Sequence, residues 1–310
     1  MQQEELLRRA LALTRRHPFL WLLALLAGEA VGGGSFSSPG GSVSTRSRAS
    51  SPDTSLAQQQ AAQAGAWILA NLPLVLAAVL LVALVLAVVG CLAAGALYRG
   101  QVELDRGGSF GAGDALRAAL HSFGRLLGFR ILSALLLIVP LVLLGALSLV
   151  MVSAGGAQAV PATVYVDGSF LLFFALFALV SWPVLVLASR SVVLDDRNPL
   201  AAVGATIRLV AAEPVRALLT TAVAIGLGIA SGIANGVVLT LVSLPFLGGL
   251  VESLQALDLA QIATALLPLV AVEVVVSLVL GSVIGCFYSG YWTLGFEALK
   301  AADAGRDRAG

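Results

Sequence analysis

Three polar side chains stand inside otherwise apolar sequence and are the first candidates for chemistry: Glu273, Asn235 and Glu29. Glu273 lies about 11 residues into the last long apolar run, Asn235 deep in the run before it, and Glu29 about 13 residues beyond Arg16. A charged group at such depth costs at least about 2.5 kcal/mol on insertion scales, so it is neutralised by hydrogen bonding, faces a polar cavity, or carries a proton or cation. In a simple hairpin of the last two runs centred on residue 254, Asn235 and Glu273 reach equal depth and can meet. Glu29 either lines the same cavity or, its run being short, already lies outside.

Other chemistry-bearing residues read more plainly. Cys91 and Cys286 fall in separate apolar runs, which argues against a disulfide framework or a zinc cluster. With their neighbours they form ladders at spacing four, Ala87, Cys91, Gly95 and Ser282, Cys286, Gly290, whose small side chains let helix backbones approach closely. His17 and His121 sit on or beside surface helices. Asp195, Asp196 and Arg197 read as a solvated turn with a helix-capping role. Paired histidines, an aspartate-rich metal motif and a nucleophile elbow are missing, so catalytic residues, metal sites and cofactors are not expected.

The elements that must position these groups follow from hydropathy. Hydrophobic residues make up 59% of the 310 and charged residues 11%, against about 45–50% and about 25% in soluble domains. The chain reads as an all-α, polytopic integral membrane protein. Residues 1–16 form an amphipathic helix with Arg8, Arg9, Arg15 and Arg16 opposite Leu6, Leu7, Ala10, Leu11 and Leu13. An apolar run from Phe19 to Val31 follows; a cleaved signal peptide is the alternative reading, which Glu4 and Glu5 disfavour. Residues 32–66 are low in complexity and predict a disordered external loop. Trp67 to Tyr98 is a span with both aromatics as interfacial anchors. A second amphipathic helix starts near Asp114, with Leu116, Ala119, Leu120, Phe123 and Leu127 on one face. Spans follow at about 126–152 and 169–193. In the third amphipathic helix Asn198 can cap a turn opened by Pro199, and Leu200, Val203, Ile207 and Val210 share a face. Spans at about 215–247 and 262–294 and a polar tail over 300–310 complete the chain.

Six spans put both termini on one side, and that side carries 16 of the 18 basic residues, only Arg46 and Arg48 lying opposite. The positive-inside bias makes it the cytoplasmic face of the plasma (inner) membrane. Internal similarity narrows the architecture further. Val88 to Gly100 matches Val283 to Gly295, pairing Gly90 with Gly285, Cys91 with Cys286, Gly95 with Gly290 and Gly100 with Gly295. The expected plan is one membrane domain of three parallel hairpin units, 1–106, 107–196 and 197–310, each preceded by a cytoplasmic amphipathic helix, which allows a pseudo-threefold arrangement.

The stretch Ala188 to Leu219, ASRSVVLDDRNPLAAVGATIRLVAAEPVRALL, resembles the recurring signature of bacterial six-span proteins related to the membrane domain of glycerophosphoryl diester phosphodiesterases. The resemblance implies a charged turn and small-residue helix leading into a span, in a family without an agreed activity. The histidine-arginine-glycine start of the phosphodiesterase catalytic domain is missing, since His17 is followed by proline and His121 by serine.

Three functions fit these features. A non-catalytic membrane protein organising lipid or a partner through its cytoplasmic helices needs no active site and comes first. A small transporter or channel would use Glu273 and Asn235, with Glu29, but paired Gly/Pro breaks at matching positions are missing. An intramembrane enzyme comes last. The expected partners are the lipid bilayer and a protein partner or second copy of the chain; nucleic acid is not among them.

Overall fold

The computed structural model describes residues 3–29, 70–256 and 259–307, and every regular element among them is an α-helix. The elements are α1 (Gln3–Arg16), α2 (Phe19–Leu26), α3 (Leu72–Asp105), α4 (Ala112–Leu194), α5 (Pro199–Ala212), α6 (Pro214–Ala256) and α7 (Leu259–Asp307). Five helical stretches among the described residues are long and apolar enough to cross a membrane: Leu72–Asp105, Ala112–Ala154, Val164–Leu194, Pro214–Phe246 and Leu266–Gly305. The sixth expected span is not among them. Helix α2 has 8 residues, about 12 Å at 1.5 Å per residue, against about 30 Å of hydrocarbon. The external loop expected over 32–66 and the Trp67 anchor lie outside the described residues.

Local chemistry places most boundaries. Gly28 takes φ +78 just after α2, a conformation that costs glycine no Cβ clash and ends the helix there. Asp114 accepts the Gly111 backbone N–H at 3.2 Å and opens α4. Asn198 stands at the N-cap of α5 with Pro199 in the first turn, yet its side chain makes no capping hydrogen bond, contrary to expectation.

Helix α4 runs 83 residues and still folds back on itself. Ser148 donates to Asp167 at 2.5 Å; in a straight helix residues 19 apart would be about 28 Å apart. Its two arms, Ala112–Ala154 and Val164–Leu194, then pack together, with Leu126, Phe129, Ala188 and Val192 in one core. Helices α6 and α7 pair in the same way through Ser243 and Glu273 at 2.7 Å.

The core lies in the half of the bundle nearest the charges. Arg9 pairs with Asp105, Arg106 with Glu297 at 3.1 Å and Lys300 with Asp195 at 2.6 Å. Helix α1, the ends of α3 and α7, and the α4–α5 turn therefore share one face. The three helices expected to be amphipathic pack on long helices: α1 on α7 with Ala10 against Gly290, the start of α4 on α3 with Ala119 and Ser122 against Gly95, and α5 in the core beside the second arm of α4.

These contacts redraw the expected amphipathic faces. Leu6, Ala10 and Leu13 of α1 are buried against protein, so α1 is not a free surface helix. On the other two helices small residues go inward, Ala118, Ala119 and Ser122 on one and Ala202 and Thr206 on the other. Leu116, Leu120, Leu200 and Ile207 stay outside. A small residue lets two backbones approach closely, which a leucine at the same place would prevent.

Candidate functional site: an arginine in an aromatic cavity

Arg190 is 2% exposed, although arginine is almost never fully buried unless paired. It sits in the last turns of α4, where Nη1 donates to the Val186 carbonyl at 2.9 Å and to Ser189 Oγ at 3.0 Å. The guanidinium carbon lies 4.3 Å from the centroid of the Tyr98 ring, a cation–π contact from α3. Nε and Nη2 have no hydrogen-bond partner among the described residues. Nη2 is 3.8 Å from Glu29 Oε1, too far for a hydrogen bond.

Gly28 decides where Glu29 goes. By ending α2 it delivers the carboxylate to Tyr98, whose hydroxyl donates to Oε1 at 2.6 Å. Arg130, from the first arm of α4, donates to the Ala27 carbonyl at 2.9 Å, at the electronegative end of α2. Trp182, Tyr288 and Trp292 form an aromatic corner, the two indoles meeting edge-on at 5.5 Å. The Trp292 indole N–H is buried beside the Tyr288 hydroxyl without a well-formed hydrogen bond to it. These groups, with Leu126, Phe129 and Leu185, line a cavity of about 530 Å³. That volume is within the range of small-molecule sites. Its unsatisfied polar groups are donors, so it suits an acceptor carried on an apolar body.

A second cavity, of about 570 Å³, lies between α5 and the ends of α4 and α7. Charges there largely answer one another, Asp195 taking Lys300 at 2.6 Å and Arg197 at 3.7 Å. Asp196 beside it is no merely solvated turn residue. At φ 53 it turns its carboxylate back onto Arg99 at 2.8 Å, Arg125 at 2.7 Å and His121 at 3.1 Å. Partial burial alone pushes the Asp196 carboxyl up, but Arg99, Arg125 and His121 together outweigh it and hold it below the usual carboxylate range.

Of the residues expected to form a polar site, only Glu29 lines the Arg190 cavity. Glu273 accepts from Ser243 and not from Asn235, whose Oδ1 is buried without a partner. Ser243 opposite Glu273 centres the hairpin near residue 258, and moving the centre from 254 offsets Asn235 from Glu273 by about 12 Å along the helices. The small-residue ladders behave as packing surfaces: Cys91 and Cys286 are buried in one core, and Gly95 and Gly290 each meet an amphipathic helix. Tyr98, expected at the interface, is 3% exposed inside the bundle. Sequence reasoning missed Arg190, Arg130, Trp182 and Trp292. The available signal was Arg190 lying more than a helical turn before Asp195, with Val192, Val193 and Leu194 between.

Five helices long and apolar enough to cross a membrane define a helical membrane protein, and its bundle holds a cavity around a buried arginine. The chain belongs to the family described as a domain of unknown function (DUF7847), whose model matches residues 1–299. No curated protein and no solved structure matches it.

Proposed function

We propose that this is a non-catalytic protein of the plasma (inner) membrane, with both termini cytoplasmic, that organises lipid at its charged face. The observation that carries the reading is the exposed apolar row on the amphipathic helices. Leu116 and Leu120 are 60% and 62% exposed, and Leu200 and Ile207 74% and 53%. Large apolar side chains beside an arginine-rich face are what an interfacial helix presents to a leaflet. Three hairpin units about a pseudo-threefold axis are supported by cyclic packing, in which the last span of each unit takes the amphipathic helix of the next and α7 takes α1. The likeness of Ala188 to Leu219 to a phosphodiesterase membrane domain agrees with a membrane part that acts without catalysis. Transport through Glu273, Asn235 and Glu29 is the weaker reading, because only Glu29 of the three lines the Arg190 cavity and Glu273 bonds Ser243 instead of Asn235.

The test is the depth of nitroxide labels at positions 120 and 207 in liposomes, in a background lacking Cys91 and Cys286. Labels accessible to oxygen and shielded from a polar nickel complex support the reading. Labels open to the nickel complex defeat it.

A further inference from the structure

We propose that the Arg190 cavity binds the singly charged anionic headgroup of a membrane lipid. This goes beyond the surface-helix reading and can stand or fall apart from it. Two guanidinium groups, Arg190 and Arg130, line the cavity with one carboxylate, Glu29, which leaves one formal positive charge among mostly apolar walls. A phosphodiester or carboxylate balances that charge. The buried Nε and Nη2 of Arg190 have no acceptor among the described residues. A guanidinium fork presents parallel donors that suit two oxygens of one anion.

The order of groups along the cavity selects a lipid over a free anion. Arg190 lies five residues from Asp195 at the charged face and Trp182 lies thirteen, about 7 Å and about 20 Å along a helix. The donors are therefore at the level of headgroups, and the walls of Trp182, Leu185 and Ala134 lead away from them into the depth of the spans. A free phosphate would fill only the shallow end and leave the apolar length to water. A lipid entering from the charged side places its anion on Arg190 and the start of its acyl chains along the indole. Apolar burial then adds to the charge-assisted hydrogen bonds.

The experiment uses the full chain purified in a neutral maltoside and titrated with dioleoyl phosphatidylglycerol, dioleoyl phosphatidylcholine or inorganic phosphate. Native mass spectrometry and thermal melting provide the readouts. We expect one phosphatidylglycerol per chain, a rise in melting temperature with that lipid, and at least tenfold weaker binding by Arg190→Met. Arg208→Gln, an exposed charge on α5, should bind as the wild type does, which separates the cavity from general attraction to the basic face. If Arg190→Met does not fold, Arg190→Lys keeps the charge without the fork and should still bind several-fold more weakly. The proposal is overturned if the Arg190 variants bind phosphatidylglycerol as the wild type does, or if phosphatidylcholine binds equally. Displacement of the lipid by phosphate at matching concentration would make this a free-anion site and equally reject the lipid.

Discussion

Gly95 and Gly290 stand at matching positions of the similar stretches Val88 to Gly100 and Val283 to Gly295, yet adding one methyl group should separate them sharply. A Cβ built on Gly95 meets the Ser122 hydroxyl well inside contact distance, and that hydroxyl is already held by the Ala118 carbonyl at 2.8 Å. The same Cβ on Gly290 finds its nearest atoms, Gln101 Nε2 and Ala10 Cβ, at 3.6 and 3.7 Å, which is ordinary contact. Overpacking a close helix contact costs about 1–3 kcal/mol, whereas replacing a helical glycine by alanine gains about 0.5–1 kcal/mol. Gly95→Ala should thus lose about 1–2 kcal/mol net, and Gly290→Ala should be neutral or gain up to about 1 kcal/mol. In a thermal melt this means opposite shifts of roughly 2–4 °C per kcal/mol. Ser122→Ala supplies the internal control. Without Oγ, the next atoms around a Gly95 Cβ are Ala119 Cα and Ser122 Cβ, both at 3.5 Å. The double variant should therefore recover most of what Gly95→Ala loses, with a coupling of about 1 kcal/mol or more. Gly95→Ala melting with or above Gly290→Ala, or no recovery on removing the hydroxyl, would refute the packing argument.

Further outcomes can be checked alongside. Gln101 is buried and bonds the Cys286 carbonyl, Ser289 and Thr293 at 3.2, 3.4 and 2.9 Å, so Gln101→Leu should loosen α3 from α7 by about 1–3 kcal/mol, read as a lower melting temperature. Asp196 has a folded pKa below its unfolded value, so the stability it contributes is present above about pH 4 and is lost as pH falls through the folded value. Being 44% exposed, its pairs are screened, and Asp196→Asn should cost about 1 kcal/mol at neutral pH and nothing at low pH in paired melts. Asn235→Leu removes a buried carbonyl without a partner and should melt no lower than wild type, while Glu273→Gln should keep the Ser243 link and any proteoliposome ion flux unchanged.

Periodicity and punctuation are properties of neighbouring residues, and what depends on them was legible in the sequence. A segment of Leu72–Asp105 composition must be helical and must avoid water, since backbone polar groups in hydrocarbon are satisfied only within the segment. Pro199 and Pro214 mark helix starts because neither needs a donor in the first turn, and the gathering of basic residues between spans anticipated the charged face. The interior of that face was decided only by tertiary structure. Which side of the third amphipathic helix turns inward depends on the surface it meets, so Ala202 and Thr206 are buried while Leu200 stays out. Hairpin register depends on where the turn settles, which placed Ser243 opposite Glu273 and left Asn235 elsewhere. The Arg190 cavity is assembled from the residues that follow α2, both arms of α4, α3 and α7. Groups as far apart in the chain as Glu29, Tyr98 and Arg190 become neighbours only when those helices pack, and side chains so distant leave no joint trace in local composition.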